Sequence, residues 1–382
     1  MSIYLDHNAT TPLDPRVLDT MLPWLRETQG NPSSVHRFGR AAHAALETAR
    51  AQVAALVNAQ PAQVIFTSGG TEANNLALKG VCSGTPDGRL LVSAIEHAAV
   101  QEPADALAAL GWDVQRIPVD AAGRVQPATL DALCDARTKL VSVMLANNET
   151  GVIQDITRIA EHAHAHGAVL HSDAIQAVGK MPVDFPGFGV DLMTLSAHKL
   201  NGPRGVGALI VNKSLPLTPL IHGGGQEHGY RGGTENLAGI VGFGCAAELA
   251  AAELRAHIEQ LRGLRERFEQ GIGALPGIEI FGADAERLPN TVQIGVAQFD
   301  GEAMVMELDK RGFAVSSGSA CHSGSGKPSH VLTAMGRNET EARSAVRISF
   351  GRENSLEEVD KLLAALRQIL EARQQHARAV SW

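Results

Sequence analysis

From residue 37 to residue 212 short apolar runs alternate with helix-length segments, and that alternation narrows the architectures open to the chain. Amphipathic spacing predicts helices over 40–57, 71–82, 100–110 and 156–166. Between them lie apolar runs expected as strands at 64–67, 89–93, 140–145, 168–171, 190–195 and 206–211. Strands separated by helices of this length imply an α/β fold, a mostly parallel sheet covered on both faces. Ligands of such sheets bind beyond the carboxyl ends of the strands, so Thr67, Asn148, Asp173 and Lys199, which follow strands directly, are expected in one cleft. An alanine- and leucine-rich helix over 235–275, bent near Gly242 and Gly244, reads as a bridge to a second unit. Beyond it the order becomes strand 291–296, helix 302–311, strands 314–316 and 345–350, and helix 356–373, a smaller α/β unit. Residues 376–382 lack helical periodicity and are expected as a mobile tail.

Composition excludes several classes. With 44% hydrophobic and 19% charged residues, the 382-residue chain has an ordinary globular balance and length enough for a large core. A net charge of −8 offers no overall attraction for nucleic acid or an anionic membrane, and 4% aromatic residues argue against a base-stacking surface. Neither a basic leader nor an apolar leader run opens the chain, and the apolar stretch at 238–247 is too short to span a bilayer. Cys82, Cys134, Cys245 and Cys321 form no CxxC pair, which suggests a reducing cytoplasm and no cysteine zinc site.

Three features point to chemistry. Lys199, in Ser196-Ala197-His198-Lys199, ends an apolar strand beside a histidine. Poor solvation there favours the free amine, the form that makes a Schiff base. Asp173 ends another apolar strand, where a carboxylate either caps a helix or keeps a pyridine nitrogen protonated. Thr67-Ser68-Gly69-Gly70-Thr71-Glu72 is either an ordinary strand-to-helix turn or a phosphate cradle. Lysine for an aldehyde, aspartate for a ring nitrogen and a helix N-terminus for a phosphate together describe a pyridoxal 5′-phosphate site.

Cys321 sits in the small-residue run Ser316-Ser317-Gly318-Ser319-Ala320-Cys321-His322-Ser323-Gly324, expected as a mobile loop. There it is either an incidental thiol or a nucleophile whose pKa His322 and Lys327 lower. His97 either stacks on an aromatic cofactor and shuttles protons or is a half-buried polar side chain. His162 and His166 share a helix face, but with few acids nearby they read as a solvated helix end, and no resident metal is expected.

These residues fall within strings that carry a family resemblance. They include Tyr4-Leu5-Asp6-His7-Asn8-Ala9-Thr10-Thr11-Pro12, Phe66-Thr67-Ser68-Gly69-Gly70-Thr71-Glu72-Ala73-Asn74-Asn75 and Asn147-Asn148-Glu149-Thr150-Gly151. Further strings are His171-Ser172-Asp173-Ala174-Ile175-Gln176, Gly223-Gly224-Gly225-Gln226-Glu227-His228-Gly229, Arg231-Gly232-Gly233-Thr234-Glu235-Asn236 and Ser317-Gly318-Ser319-Ala320-Cys321. Over nearly its whole length the chain resembles the cysteine desulfurases of the NifS/IscS group, class V aminotransferases among the fold type I pyridoxal phosphate enzymes. The resemblance implies a large domain at 13–255 with a mostly parallel, seven-stranded-type sheet. It implies a small domain of 1–12 and 256–382 that carries the Cys321 loop.

It further implies that Lys199 holds the cofactor, Asp173 pairs its ring nitrogen, Gln176 contacts the ring oxygen and His97 stacks on the ring. Thr71, Ser196 and His198 hold the phosphate with Thr234 of a second subunit, and Glu72 and Asn148 complete the cofactor site. Asn148 and Arg347 bind the substrate carboxylate, and Cys321 accepts sulfur from L-cysteine, which leaves as L-alanine. A cytoplasmic homodimer that passes sulfur to an iron–sulfur scaffold or another thiolation protein is the implied setting. A selenocysteine lyase or another pyridoxal phosphate enzyme of the class stands as the alternative. Gly324-Ser325-Gly326-Lys327 departs from the family segment expected there and bears on loop dynamics and acceptor choice.

Overall fold

The computed structural model describes residues 2–27, 29–84, 88–297, 299–318 and 328–380. Its strands in chain order are β1 (Ile3–Tyr4), β2 (Val64–Thr67), β3 (Arg89–Ser93), β4 (Asp113–Ile117), β5 (Thr138–Ser142) and β6 (Val169–Asp173). They continue with β7 (Leu192–Ser196), β8 (Gly207–Val211), β9 (Ile278–Ile280), β10 (Thr291–Val296), β11 (Phe313–Ala314) and β12 (Ala345–Ser349).

Seven of them form one sheet in the order β2-β8-β7-β6-β5-β3-β4. Only β8 runs against its neighbours, pairing Ser196 with Gly207 and Thr67 with Gly207 from opposite sides. Successive strand residues face opposite sides. Phe66, Leu91, Val141, Met193 and Ile210 therefore pack one face, under the helices Arg37–Leu56 and Ile156–Ala165. Ile65, Leu90, Leu140, Leu192 and Leu209 pack the other, under Gly70–Val81 and Ala98–Ala109. The α/β expectation holds, with strand ends within a few residues of those read from sequence.

Three strands were not expected, and β1 is only two residues long. β4 and β9 lie at sheet edges and bury few of their residues, so neither shows the apolar run that marks a central strand. The last helix also corrects the expectation of a tail, because it runs from Leu356 to Val380.

A second sheet, β12-β10-β9, is antiparallel, and β1 pairs in parallel with β11. The helix Leu237–Ile272 links the two cores. Ile240, Phe243 and Ala247 pack with the large sheet, while Leu261, Leu264, Phe268 and Ile272 pack with β10, β12 and Leu5. Among the described residues it is the one helix long and apolar enough to cross a membrane by length and composition. It extends well past the ten residues judged too short in the sequence.

Candidate active site

β2, β6 and β7 end on one edge of the large sheet and deliver Thr67, Asp173 and Ser196 to it. A cavity of ≈ 210 Å³ opens there. Its lining includes Gly70, Thr71, His97, Asn148, Asp173, Gln176, Ser196, His198 and Lys199. Glycine is required where β2 turns into its helix. A Cβ at Gly207 would stand 2.7 Å from the Gly69 carbonyl carbon, and one at Gly70 would stand 2.2 Å from Ile175 Cδ1.

Asp173 forms the floor. Its Oδ2 accepts from Asn74 Nδ2 at 2.8 Å and its Oδ1 accepts from the Ile175 amide at 2.9 Å. Burial raises the Asp173 carboxyl above the ordinary range, against the pull of these two donors. Asn74 belongs to a matching string, but its support of Asp173 was not foreseen; a carboxamide 99 residues away in sequence gives no local signal of it. His97 caps the helix Ala98–Ala109, with Nδ1 accepting from the Ala99 amide at 3.0 Å. Burial lowers its pKa, so the ring is neutral with its proton on Nε2. His198 is also held neutral, by burial and then by Lys199, at about 4. Its Nδ1 lies 3.1 Å from Thr10 Oγ1.

Lys199 follows β7 on a single helical turn, Ala197–Lys199. Its amine donates to the main-chain oxygens of Asn8, at short range, and of Ala9 at 2.7 Å. Gln176 Nε2 donates to the same Asn8 oxygen at 2.9 Å. Arg347, on β12, stands outside the cavity lining. Nη1 donates to the Asn148 carbonyl at 2.9 Å and Nη2 to Asp6 Oδ1 at 2.8 Å, while its buried Nε has no partner among the described residues.

Glu72 and Thr234, like Arg347, are outside the cavity lining in this chain. Glu72 accepts from the Ser68 amide at 2.8 Å and from Arg231 Nε at 2.9 Å, so it ties the turn to the glycine-rich segment. Thr234 is exposed and outside the cavity lining. Cys321 lies outside the described residues. The chain on either side of it meets Glu149: Ser329 Oγ donates to Glu149 Oε2 at 2.6 Å, and a Cβ at Gly318 would stand 3.4 Å from the same oxygen.

The other cysteines and the histidine row have plain structural settings. Burial pushes the Cys82 thiol up to about 12 and also raises Cys134. His162 Nδ1 lies 2.7 Å and His166 Nε2 3.4 Å from Asp131 Oδ1.

The model for "Aminotransferase class-V" matches residues 3–362. The chain belongs to the class V aminotransferase family. A relative described as "Cysteine desulfurase", from Cereibacter sphaeroides, is 47% identical over 373 residues, spanning 97% of this chain and 96% of its own. The solved structure "NIFS-LIKE PROTEIN" superposes with a TM-score of 0.91 at 38% identity, covering 97% of this chain and all of its own. One described as "SspA in complex with cysteine" gives 0.82 at 33%, covering 93% and 100%. The protein thus has the fold type I architecture, and its cofactor is pyridoxal 5′-phosphate. The cleft fits that group. It offers a primary amine, a buried carboxylate and, at Ser196, a buried Oγ with no hydrogen-bond partner among the described residues.

Proposed function

We infer that the protein is a cysteine desulfurase that takes sulfur from L-cysteine, leaves L-alanine and carries the sulfur as a persulfide on Cys321. The observation that carries this is the meeting of Lys199, Asp173 and His97 in one cleft of a chain so similar to named desulfurases. Bound cofactor supplies an electron sink for negative charge at the substrate Cα. Lys199 would hold the cofactor and, as a free amine, would take the substrate α-proton and later return it to Cα. Asp173 would keep a proton on the cofactor's ring nitrogen, and its donors Asn74 and Ile175 fix the carboxylate for that task. His97, neutral with its proton on Nε2, would stack on the cofactor ring. Thr71, Ser196 and His198, which line the cavity, would receive the phosphate, joined by Thr234 of a second subunit.

Arg347, whose Nε–H has no partner among the described residues, and Asn148, whose carbonyl accepts from Arg347 Nη1, would bind the substrate carboxylate. The Cys321 thiolate attacks the substrate sulfur: an S–S bond forms, the Cβ–S bond breaks, and Cβ takes up a proton to give alanine. Carbon is reduced as sulfur is oxidised, so no outside oxidant is required. The setting we infer is a cytoplasmic homodimer supplying an iron–sulfur scaffold or another thiolation protein. The split of the Leu237–Ile272 helix between two cores supports a boundary near residue 255, with 1–12 joining 256–382.

Sulfide and alanine release from L-cysteine and a reductant tests the reading. Equal amounts from the wild type, lost in Cys321→Ser while the yellow colour stays, are expected. Undiminished release in the variant overturns the persulfide role.

A further inference from the structure

A second lysine is buried beside the first and, among the described residues, pairs with no acid. Lys180 is 4% exposed. Its Nζ donates to Gln176 Oε1 at 2.8 Å and to Asn8 Oδ1 at 3.1 Å, and no carboxylate is among its partners within the described residues. The charged groups acting on it are cations, Lys199 and Arg347. His7, His257, Glu253 and Arg352 share with Lys180 and Lys199 the lining of a small cavity of ≈ 40 Å³. Arg352 and Arg16 hold the Glu253 carboxylate, while burial keeps both histidines neutral at about 4. Burial and the two cations lower the Lys180 amine well below the ordinary lysine range. A neutral amine has two N–H bonds, and the two amide oxygens are two acceptors.

Both acceptors lead to Lys199. With Oε1 engaged by Lys180, the Gln176 amide turns Nε2 onto the Asn8 main-chain oxygen at 2.9 Å. Asn8 Oδ1 takes a second donor from Asn290 Nδ2 at 3.0 Å, and Asn8 Nδ2 donates to Thr291 Oγ1 at 2.9 Å. The main-chain oxygen fixed in this way, with that of Ala9, receives the Lys199 amine. An amine held through its N–H bonds by carbonyl oxygens keeps its lone pair as a proton acceptor.

We propose that Lys180 is a positioning residue for Lys199: by clamping Gln176 and Asn8 it fixes the carbonyl pair that holds the Lys199 amine whenever that amine is not bonded to the cofactor. This rests on Lys199 being the cofactor lysine. Removing the Lys180 donor frees Gln176 to turn and leaves a buried amide oxygen short of a donor.

The test compares wild-type holoenzyme with Lys180→Met and Lys180→Gln. It reads kcat and KM for L-cysteine per mole of bound cofactor, the pH midpoint of the cofactor's visible absorbance, and the melting temperature. For Lys180→Met we expect kcat to fall roughly ten- to a hundred-fold, the scale of a small misplacement of a catalytic group, with KM nearly unchanged and the absorbance midpoint displaced. Lys180→Gln, which keeps one donor, recovers part of both effects. A lower melting temperature with unchanged kcat per cofactor and an unmoved midpoint overturns the proposal and leaves Lys180 a packing residue. If Lys180→Met does not fold, Lys180→Gln carries the same two readouts against the wild type. A wild type that binds cofactor but releases no alanine refutes the desulfurase reading, while the absorbance comparison still decides the role of Lys180.

Discussion

Glu96 is a carboxyl with no access to water, where any charge it carries is costly. It is 0% exposed. Oε1 accepts from Ser93 Oγ at 2.5 Å and from the Met144 amide at 2.6 Å, whereas Oε2 has no partner among the described residues. Burial first, and then the nearby Asp173 charge, push the group up to about 8 from a value of 4.5 in the unfolded chain. Between those values the folded protein holds a proton that the unfolded chain gives up. The stabilisation is full below 4.5 and is lost as pH rises towards 8. At about 1.4 kcal/mol per unit the window allows an upper bound of about 5 kcal/mol. Glu96→Gln is neutral throughout and near in shape to the protonated acid. Urea midpoints of both cofactor-saturated proteins, from about pH 4 to about pH 9, are the assay. Relative to the wild type, the variant should gain steadily with pH and level off above 8. A difference between the two that does not change with pH refutes the buried, protonated carboxyl.

Two further substitutions test the scaffold around the cleft. Arg50 Nη1 and Nη2 grip both oxygens of Glu227 at 2.8 and 2.9 Å, and both side chains are nearly fully buried. Arg50→Ala strands that carboxylate and should cost about 3–5 kcal/mol of stability, read as a lowered melting temperature. Gly207→Ala places a Cβ within 2.8 Å of the Gly69 backbone and the Leu195 oxygen, so the turn before Thr71 must shift. Cofactor affinity, followed by absorbance titration, should weaken by an amount set by about 1–3 kcal/mol of overpacking.

Much of the large sheet was legible because its central strands are buried on both faces and read as continuous apolar runs. β7 and β8 are buried at every residue. β4 was not legible, since an edge strand half open to solvent keeps Gln115 and Arg116 among its residues. The terminal helix was read short because the stretch after Arg373 loses its apolar face while still continuing the helix to Val380. At the cleft, Lys199, Asp173 and Thr71 announced themselves by following strands or a glycine turn. Asn74, Lys180 and Glu96 did not. Each acts through a partner distant in the chain, as Asn74 does on Asp173.

The amino-acid sequence alone determined the class of fold, the cofactor chemistry and which lysine and aspartate stand at strand ends, because periodicity and residue type are local properties. Only the tertiary structure decided how those groups are tuned. Asn8 lies 191 residues from Lys199, yet its oxygen receives the lysine amine, and Lys180, 172 residues from Asn8, holds the asparagine in place. Arg347 reaches Asp6 across 341 residues, closing the small sheet onto the N-terminal segment. Such contacts form only once the chain has packed. Burial then sets the protonation of Glu96, His97, His198 and Lys180, because the cost of a charge depends on the water removed from around it and no run of letters records that.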